Sequence, residues 1–418
     1  MKALKFILPF FAALLAVVPL QAQKTWYVSQ SNGSNRNEGT REAPLKNIQK
    51  AIDLAASGDV IRVAEGNYFG LLDSGNIKIN KGISIFGGYA ADFSERDILK
   101  YRTFIQPTAT SNGSSQGQGT VQINVTQAGT LVELDGLIMD RGNAVAYNSH
   151  GEGQPDGVET PMMCPIGTAG VGAPGVPEEK VYTTSTSIVA ISTGAKCDVT
   201  IRNCAFLNGP NFGLTGSTFG TKVIVDNCIF VNIVMAAVEL RGASAALNSQ
   251  TYFTNNTVLF TWSRLRDHGD MGYGYRYMPR NDSYLDRNII GCSVFSALDR
   301  THVDTPASRE AERVTTCENS LFFLNRQADL VLPGGGQFLR VRVDDFEDVA
   351  QLARVSGNKE IDDLDDLDDL DDIINEAYLK AFKKAMDGKV TMFANHYPVE
   401  DALKLFGAVP GYGAQLPK

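Results

Sequence analysis

A pattern that repeats with a constant strand and a variable loop constrains this chain more than any other feature. Val199-Thr-Ile-Arg-Asn-Cys-Ala-Phe-Leu-Asn208 lies over Val223-Ile-Val-Asp-Asn-Cys-Ile-Phe-Val-Asn232 at an offset of 24 residues. Its alternating apolar positions predict strands with one buried face. Recurrence at this spacing predicts stacked supersecondary units. The frame continues at Asn256, Asn288 and Asn319, at spacings of 29, 32 and 31 residues. A period that keeps its strand while its loop varies fits a β-solenoid whose parallel coils stack at roughly 4.8 Å. The repeated asparagine (203, 227, 256, 288, 319) is read as a turn residue that tolerates left-handed backbone angles and bonds its counterpart one coil away. No coil carries a Leu-x-x-Leu-x-Leu frame, which excludes a leucine-rich repeat.

The N-terminus reads differently. Lys2 and Lys5 precede an apolar run from Phe6 to Leu20 and then Gln-Ala, the pattern of a secretory signal peptide (1–22) cut after Ala22. The run is too short to favour a membrane span, and no cysteine follows the cut for a lipid anchor. The mature chain is expected to be soluble and exported: secreted, periplasmic or at the cell surface.

The formal net charge of −9 is concentrated in one place. Eight Asp residues fall in Ile361-Asp-Asp-Leu-Asp-Asp-Leu-Asp-Asp-Leu-Asp-Asp-Ile373, which leaves the remainder near −1. There is no basic stripe, so nucleic acid is not an expected partner. The run lacks the glycine and terminal glutamate of an EF-hand loop and reads as a solvated linker. Six cysteines stand at 164, 197, 204, 228, 292 and 317, with no zinc-site spacing. Cys204 and Cys228 share a position in successive coils and are read either as stacked buried thiols or as a disulfide between strands.

Trp26-Tyr-Val-Ser29 reads as a first strand. Pro44-Leu-Lys-Asn-Ile-Gln-Lys-Ala-Ile52 opens a helix expected over 45–57, and Gly58-Asp-Val-Ile-Arg-Val-Ala-Glu-Gly-Asn-Tyr68 follows as strand and turn. This order resembles the opening of secreted right-handed parallel β-helix proteins, the pectate-lyase-like superfamily, in which a helix plugs the first coil. A plug has a physical purpose, because an open solenoid end exposes apolar rungs and unpaired strand edges. The resemblance implies an all-β fold: a right-handed parallel β-helix over 23–343 with an N-terminal helical plug. A Gly/Pro-rich insertion at 143–180 breaks the period and reads as a lid or an excursion. Residues 344–418 are expected to form an acidic segment and a helical cap over the last coil, with Glu376 to Met386 as an amphipathic helix.

Counting 11 residues beyond Asn256 and Asn288 reaches Asp267 and Asp299. The segments Ser263–Asp270 and Ala297–Asp304 are therefore expected on one side of the solenoid, with Arg241 leaving the preceding coil nearby. The patch gathers candidate catalytic groups Arg266, Asp267, His268, Asp299, Arg300 and His302. Arg241, Arg264, Tyr273, Tyr275, Arg276 and Tyr277 are candidate binding groups, cations for carboxylates and aromatic faces for sugar rings. The family resemblance implies polysaccharide as partner. It suggests two reactions: proton abstraction beside a uronate assisted by Ca2+, with Asp270 and Asp304 as ligands, or hydrolysis by carboxylates about 6.5–9.5 Å apart. No residue here aligns with a known lyase or hydrolase motif. The two functional readings are thus an exported polysaccharide lyase or hydrolase acting on acidic polysaccharide, and a non-catalytic scaffold that binds glycan or protein.

Overall fold

The computed structural model describes residues 22–70, 76–106, 120–140, 187–209, 211–262, 272–302, 313–334, 337–361, 373–387 and 397–417. The expected signal peptide, the 143–180 insertion and the Asp-Asp-Leu run lie outside them, apart from Ala22 and the flanking Ile361 and Ile373. No helix among the described residues is long and apolar enough to cross a membrane.

Each coil contributes one strand to each of three nine-stranded sheets. Sheet 1 contains Asp198–Arg202, Lys222–Asp226, Ser249–Thr254, Asn281–Asp286 and Thr315–Glu318 among its members. Sheet 2 contains Ala205–Gly209, Ile229–Val234, Thr257–Trp262, Ile289–Ser293 and Leu321–Phe323. Sheet 3 contains Leu214–Phe219, Ala236–Gly242, Tyr273–Tyr277, Ser296–Asp299 and Ala328–Leu332. Successive coils pair in parallel, and only the last strand of sheet 3, Leu339–Val341, runs antiparallel. This is the right-handed parallel β-helix expected above, the hand that parallel crossovers adopt.

Val199, Val223, Phe206 and Phe230 stand in register in neighbouring strands and are fully buried. Phe206 and Phe230 stack at 4.2 Å and 14°. Helix α1 (Ile48–Leu54) covers the open first coil with Ile48, Ala51 and Ile52. It starts three residues later than expected because Leu45 is held extended: its N–H donates to Tyr27 O and its carbonyl accepts from Ser29 N.

The corner between sheets 1 and 2 turns on one left-handed residue per coil. Asn203, Asn227, Asn255, Arg287 and Asn319 have φ of 51°, 56°, 52°, 53° and 47°. Asn256 and Asn288 are therefore not the turn residues, a correction of one position. They occupy the place of Cys204 and Cys228, because Thr254 and Asp286 pair with Asp226 and Thr254 respectively. Both point inward, are fully buried, and build a second ladder. Asn256 Oδ1 accepts from Cys228 N at 2.9 Å and Asn288 Oδ1 from Asn256 N at 3.0 Å. Their amides donate to Val225 O and Phe253 O. The outer ladder is thinner: Asn227 Nδ2 donates to Asn203 Oδ1 at 2.7 Å, and Arg287 Nε to Asn255 Oδ1 at 2.9 Å.

The two ladders predict different mutational costs. Asn256→Leu strips partners from two buried backbone groups, about 1–3 kcal/mol each. Asn255→Gly keeps the left-handed turn and is expected to cost clearly less. Equal shifts of the urea midpoint would show that the inner ladder carries no special weight. Cys204 and Cys228 are free, buried thiols; Cys204 Sγ donates to Arg202 O at 3.0 Å and Cys228 Sγ to Asp226 O at 3.4 Å. Burial pushes the Cys228 thiol well above its ordinary pKa.

The C-terminal region departs from the expected cap. A 3-10 turn, Val343–Asp348, does close the last coil, with Phe346 against Phe322 at 5.5 Å. Residues 373–387 and 397–417 instead lie back along the outer face of sheet 2. They include α2 (Glu376–Asp387) and α3 (Val399–Leu403). Tyr397 N donates to Asn208 Oδ1 at 2.8 Å, Gln415 N to Asn227 Oδ1 at 2.6 Å, and Arg102 pairs with Glu400. Sheet 2 is buried on both faces for this reason, and its strands read as continuous apolar runs such as Ile229-Phe-Val.

Candidate functional site

Sheet 3 places a column of outward side chains in register. Glu239 pairs with Arg276 in the strand ladder, Arg276 with Asp299, Asp299 with Val331, and Val331 with Arg340. Residues directly opposed on neighbouring strands share a face, so these side chains follow one line along the solenoid.

Arg276 is the centre of the column. Its Nε donates to Asp299 Oδ2 at 2.7 Å, one Nη to Glu239 Oε2 at 2.6 Å, and the other Nη to His302 Nδ1 at 3.2 Å. Tyr273 lies against the guanidinium at 5.0 Å. The Arg276 side chain is 6% exposed and that of Asp299 0%. Burial opposes the arginine charge, but Asp299 and Glu239 outweigh it and hold the pKa above its ordinary value. Asp299 Oδ1 also accepts from Thr301 N at 2.8 Å and Thr301 Oγ1 at 2.6 Å. Every oxygen of this carboxylate is engaged.

His302 is shaped by the same network. A guanidinium can only donate, so Nδ1 accepts and the neutral ring carries its proton on Nε2. Burial, then the Arg276 charge, lower its pKa from the ordinary histidine value. The folded state thus binds fewer protons than the unfolded chain as pH falls from near-neutral toward acid. His302 contributes fully above its unfolded pKa, and that contribution is lost as pH falls through the folded one. His302→Gln is expected to flatten the loss of stability between pH 7 and 5, read from urea midpoints across that range; an unchanged slope would assign the pH dependence elsewhere.

The sequence-predicted patch is brought together in part. Tyr273, Arg276, Asp299 and His302 meet, and Arg241 joins them through Glu239 at 3.8 Å. Tyr275 and Tyr277 are corrections: alternation along the strand turns both into the core, fully buried, with hydroxyls on Ser283 Oγ and Thr316 O. Neither has a face for a sugar ring. Arg300, expected as a catalytic group, is also a correction, being 3% exposed with Nε on Thr315 Oγ1 at 3.2 Å. Tyr273 is 2% exposed, its ring taken by Arg276 and Phe295. Arg264, Arg266, Asp267, His268, Asp270 and Asp304 lie outside the described residues.

Sequence reasoning missed Glu239 and the cleft beside Thr301. Val238-Glu239-Leu240-Arg241 alternates in step with Tyr275-Arg276-Tyr277, a signal that placed Glu239 outward. The cleft, of about 510 Å3, is lined by Thr301, Pro333, Gly334, Gln337, Phe338 and Arg340. Phe338 is 42% exposed, seated edge-on against Phe295 at 5.8 Å and 89°. Arg340 has no ion pair among the described residues.

Arg276 stands between the two carboxylates, and no group of three or more His, Cys, Asp or Glu side chains able to hold a metal occurs among the described residues. The expected ligands Asp270 and Asp304 are outside that set.

The family model described as a protein of unknown function, DUF1565, matches residues 31–152. A comparison with curated protein sequences finds no match. Solved structures similar to this chain include the pectate lyase Pel9A, at TM-score 0.41 and 12% identity, covering 81% of this chain and 77% of that one. The pectin methylesterase PemA from Erwinia chrysanthemi is similar at TM-score 0.38 and 11% identity, covering 85% and 96%. A mutant pectin methylesterase in complex with a hexasaccharide is similar at TM-score 0.36 and 11% identity, covering 80% and 89%.

Proposed function

We propose that this is an exported carbohydrate-active β-helix protein that binds acidic polysaccharide in the Thr301–Arg340 cleft. The observation that carries the reading is the composition of that cleft: a half-exposed ring, Phe338, beside an uncommitted cation, Arg340, with Gln337 and Thr301 as polar partners. An aromatic face packs against a sugar ring, and a guanidinium matches a carboxylate bidentately. Thr301, whose proton is given to Asp299, offers lone pairs to a sugar hydroxyl.

The described groups favour binding over turnover. Asp299 is sealed, Glu239 holds Arg276, and His302 keeps its accessible nitrogen protonated, so none is a ready base. The test is titration calorimetry of the mature chain with uronate-containing oligosaccharides, alongside Phe338→Ala and Arg340→Gln. Binding that both variants weaken supports the reading; binding that neither variant alters, or none to any acidic glycan, overturns it. Rising absorbance from unsaturated uronates would instead make the protein a lyase.

A further inference from the structure

The helix that closes the first coil also walls a second cleft, at the opposite end of the solenoid from the first. Strands Ile77–Ile79 and Leu339–Val341 are the two ends of sheet 3, eight spacings apart, or roughly 38 Å. The second cleft holds about 440 Å3, within the size range of small-ligand sites. Its walls come from three elements that are tied to one another. On α1, Gln49 Oε1 accepts from Lys78 N at 2.8 Å, and Gln49 Nε2 donates to Lys78 O at 3.2 Å and to Asp53 Oδ1 at 2.9 Å. On the first coil, Asn67 N donates to Gln30 Oε1 at 3.0 Å. Ile48, Tyr68 and Ile77 line the cleft as buried apolar groups.

The inward face of α1 accounts for the plug, but not for what the helix and the first coil present outward. Lys46 and Lys50 line the cleft, and neither side chain makes a hydrogen bond or ion pair among the described residues. The side-chain amides of Asn47 and Asn67 are likewise without partners among them, and Phe69 is half-buried beside them. Asp53, the one acid among the described lining residues, already accepts from Gln49. The N–H groups of Lys46 and Asn47 are given to Asn35 Oδ1 at 3.2 and 3.1 Å, so recognition falls to side chains.

We propose that this cleft is a second ligand site and takes one acidic sugar unit, a hydroxyl-rich ring that carries a carboxylate or a sulfate. Phe69 packs against the ring. Asn47 and Asn67 each offer donors and an acceptor to its hydroxyls. The two ammonium groups meet the oxyanion as rotatable point charges. A neutral sugar leaves the lysines unused, and a bare inorganic anion leaves the ring and the amides unused, so the combination sets the class. The site does not depend on the reading given to the Thr301–Arg340 cleft.

The experiment is titration calorimetry of the full mature chain, of Arg340→Gln, of the double variant Lys46→Gln with Lys50→Gln, and of Phe69→Ala. The probes are a uronate-containing disaccharide, a sulfated disaccharide, a neutral disaccharide and inorganic sulfate. At least one acidic disaccharide is expected to bind Arg340→Gln, in which the other cleft is silenced, and the stronger of the two tells carboxylate from sulfate. The neutral disaccharide and inorganic sulfate are expected to bind at least roughly tenfold more weakly. The lysine double variant and Phe69→Ala are each expected to lose roughly tenfold for the acidic probe, the lysine variant with its melting temperature unchanged. Inorganic sulfate that binds as tightly as the acidic disaccharides overturns the proposal, as does a neutral disaccharide that binds as well, a lysine variant that binds unaltered, or silence with every probe. Binding that Arg340→Gln abolishes and the lysine variant keeps overturns this site while supporting the first.

Discussion

Asp299→Ala is expected to destabilise the protein by about 3–5 kcal/mol, since removing one partner of a buried pair leaves the other charge uncompensated. Arg276 cannot neutralise itself by losing its proton, and its side chain is 6% exposed. Glu239 and the Tyr273 ring remain on it, which places the expected cost toward the lower end of that range. Asp299→Asn keeps the shape and one acceptor oxygen, enough for Thr301 or for Arg276 Nε but not for both, and is expected to cost less than alanine. Urea unfolding of the two variants measures the difference. An alanine variant within about 1 kcal/mol of wild type would mean that water reaches Arg276 freely, and the account of a preset His302 and Thr301 would fall with it.

Phe260→Ala is expected to release the C-terminal segment from the flank of the solenoid. Phe260 sits at φ 59°, a region that costs a non-glycine residue about 1–3 kcal/mol unless its surroundings hold it there. Its ring is held by Tyr378 at 4.8 Å, Phe382 at 5.7 Å and Tyr397 at 5.6 Å. Truncating a buried phenylalanine costs about 3–5 kcal/mol, and here the loss falls on the contact between sheet 2 and α2. Hydrogen exchange should show 373–387 and 397–417 losing protection while the strands of sheets 1 and 3 keep theirs. Uniform loss across all three sheets would mean that the segment and the solenoid unfold as one unit.

The same position illustrates what the repeat made legible. In the column Asn208, Asn232, Phe260, Cys292 and Leu324 all five residues are left-handed, with φ from 48° to 61°. The asparagines announce this in the sequence because they favour that conformation. Phe260 and Leu324 do not, since an apolar side chain there persists only through tertiary packing. The off-by-one placement of Asn256 and Asn288 has a related cause. Asn255-Asn256 offers two asparagines for one turn, and Arg287-Asn288 hides a turn under an arginine. Either residue satisfies a repeat template, and only the pairing of Thr254 with Asp226 settles which bends the chain.

The candidate site divides in the same way. Asp299 was reached by counting from the repeat, His302 and Arg300 came with its segment, and Tyr275, Arg276 and Tyr277 came with the neighbouring coil; of these Tyr275, Tyr277 and Arg300 are buried away from the patch. Counting places a residue on a coil. The side of the strand it occupies depends on parity from the last corner, and the varying loops shift that parity.

Local periodicity and turn chemistry, repeated along the chain, suffice to specify the stacked parallel coils, the helix that closes the first of them and the buried apolar rungs. Three outcomes needed the assembled solenoid: the C-terminal helices run along sheet 2, Arg276 is spent on Glu239 and Asp299, and Arg340 and Phe338 share a cleft with Thr301. Each joins residues far apart in the chain through the register of stacked strands, and register belongs to the whole stack rather than to any one repeat.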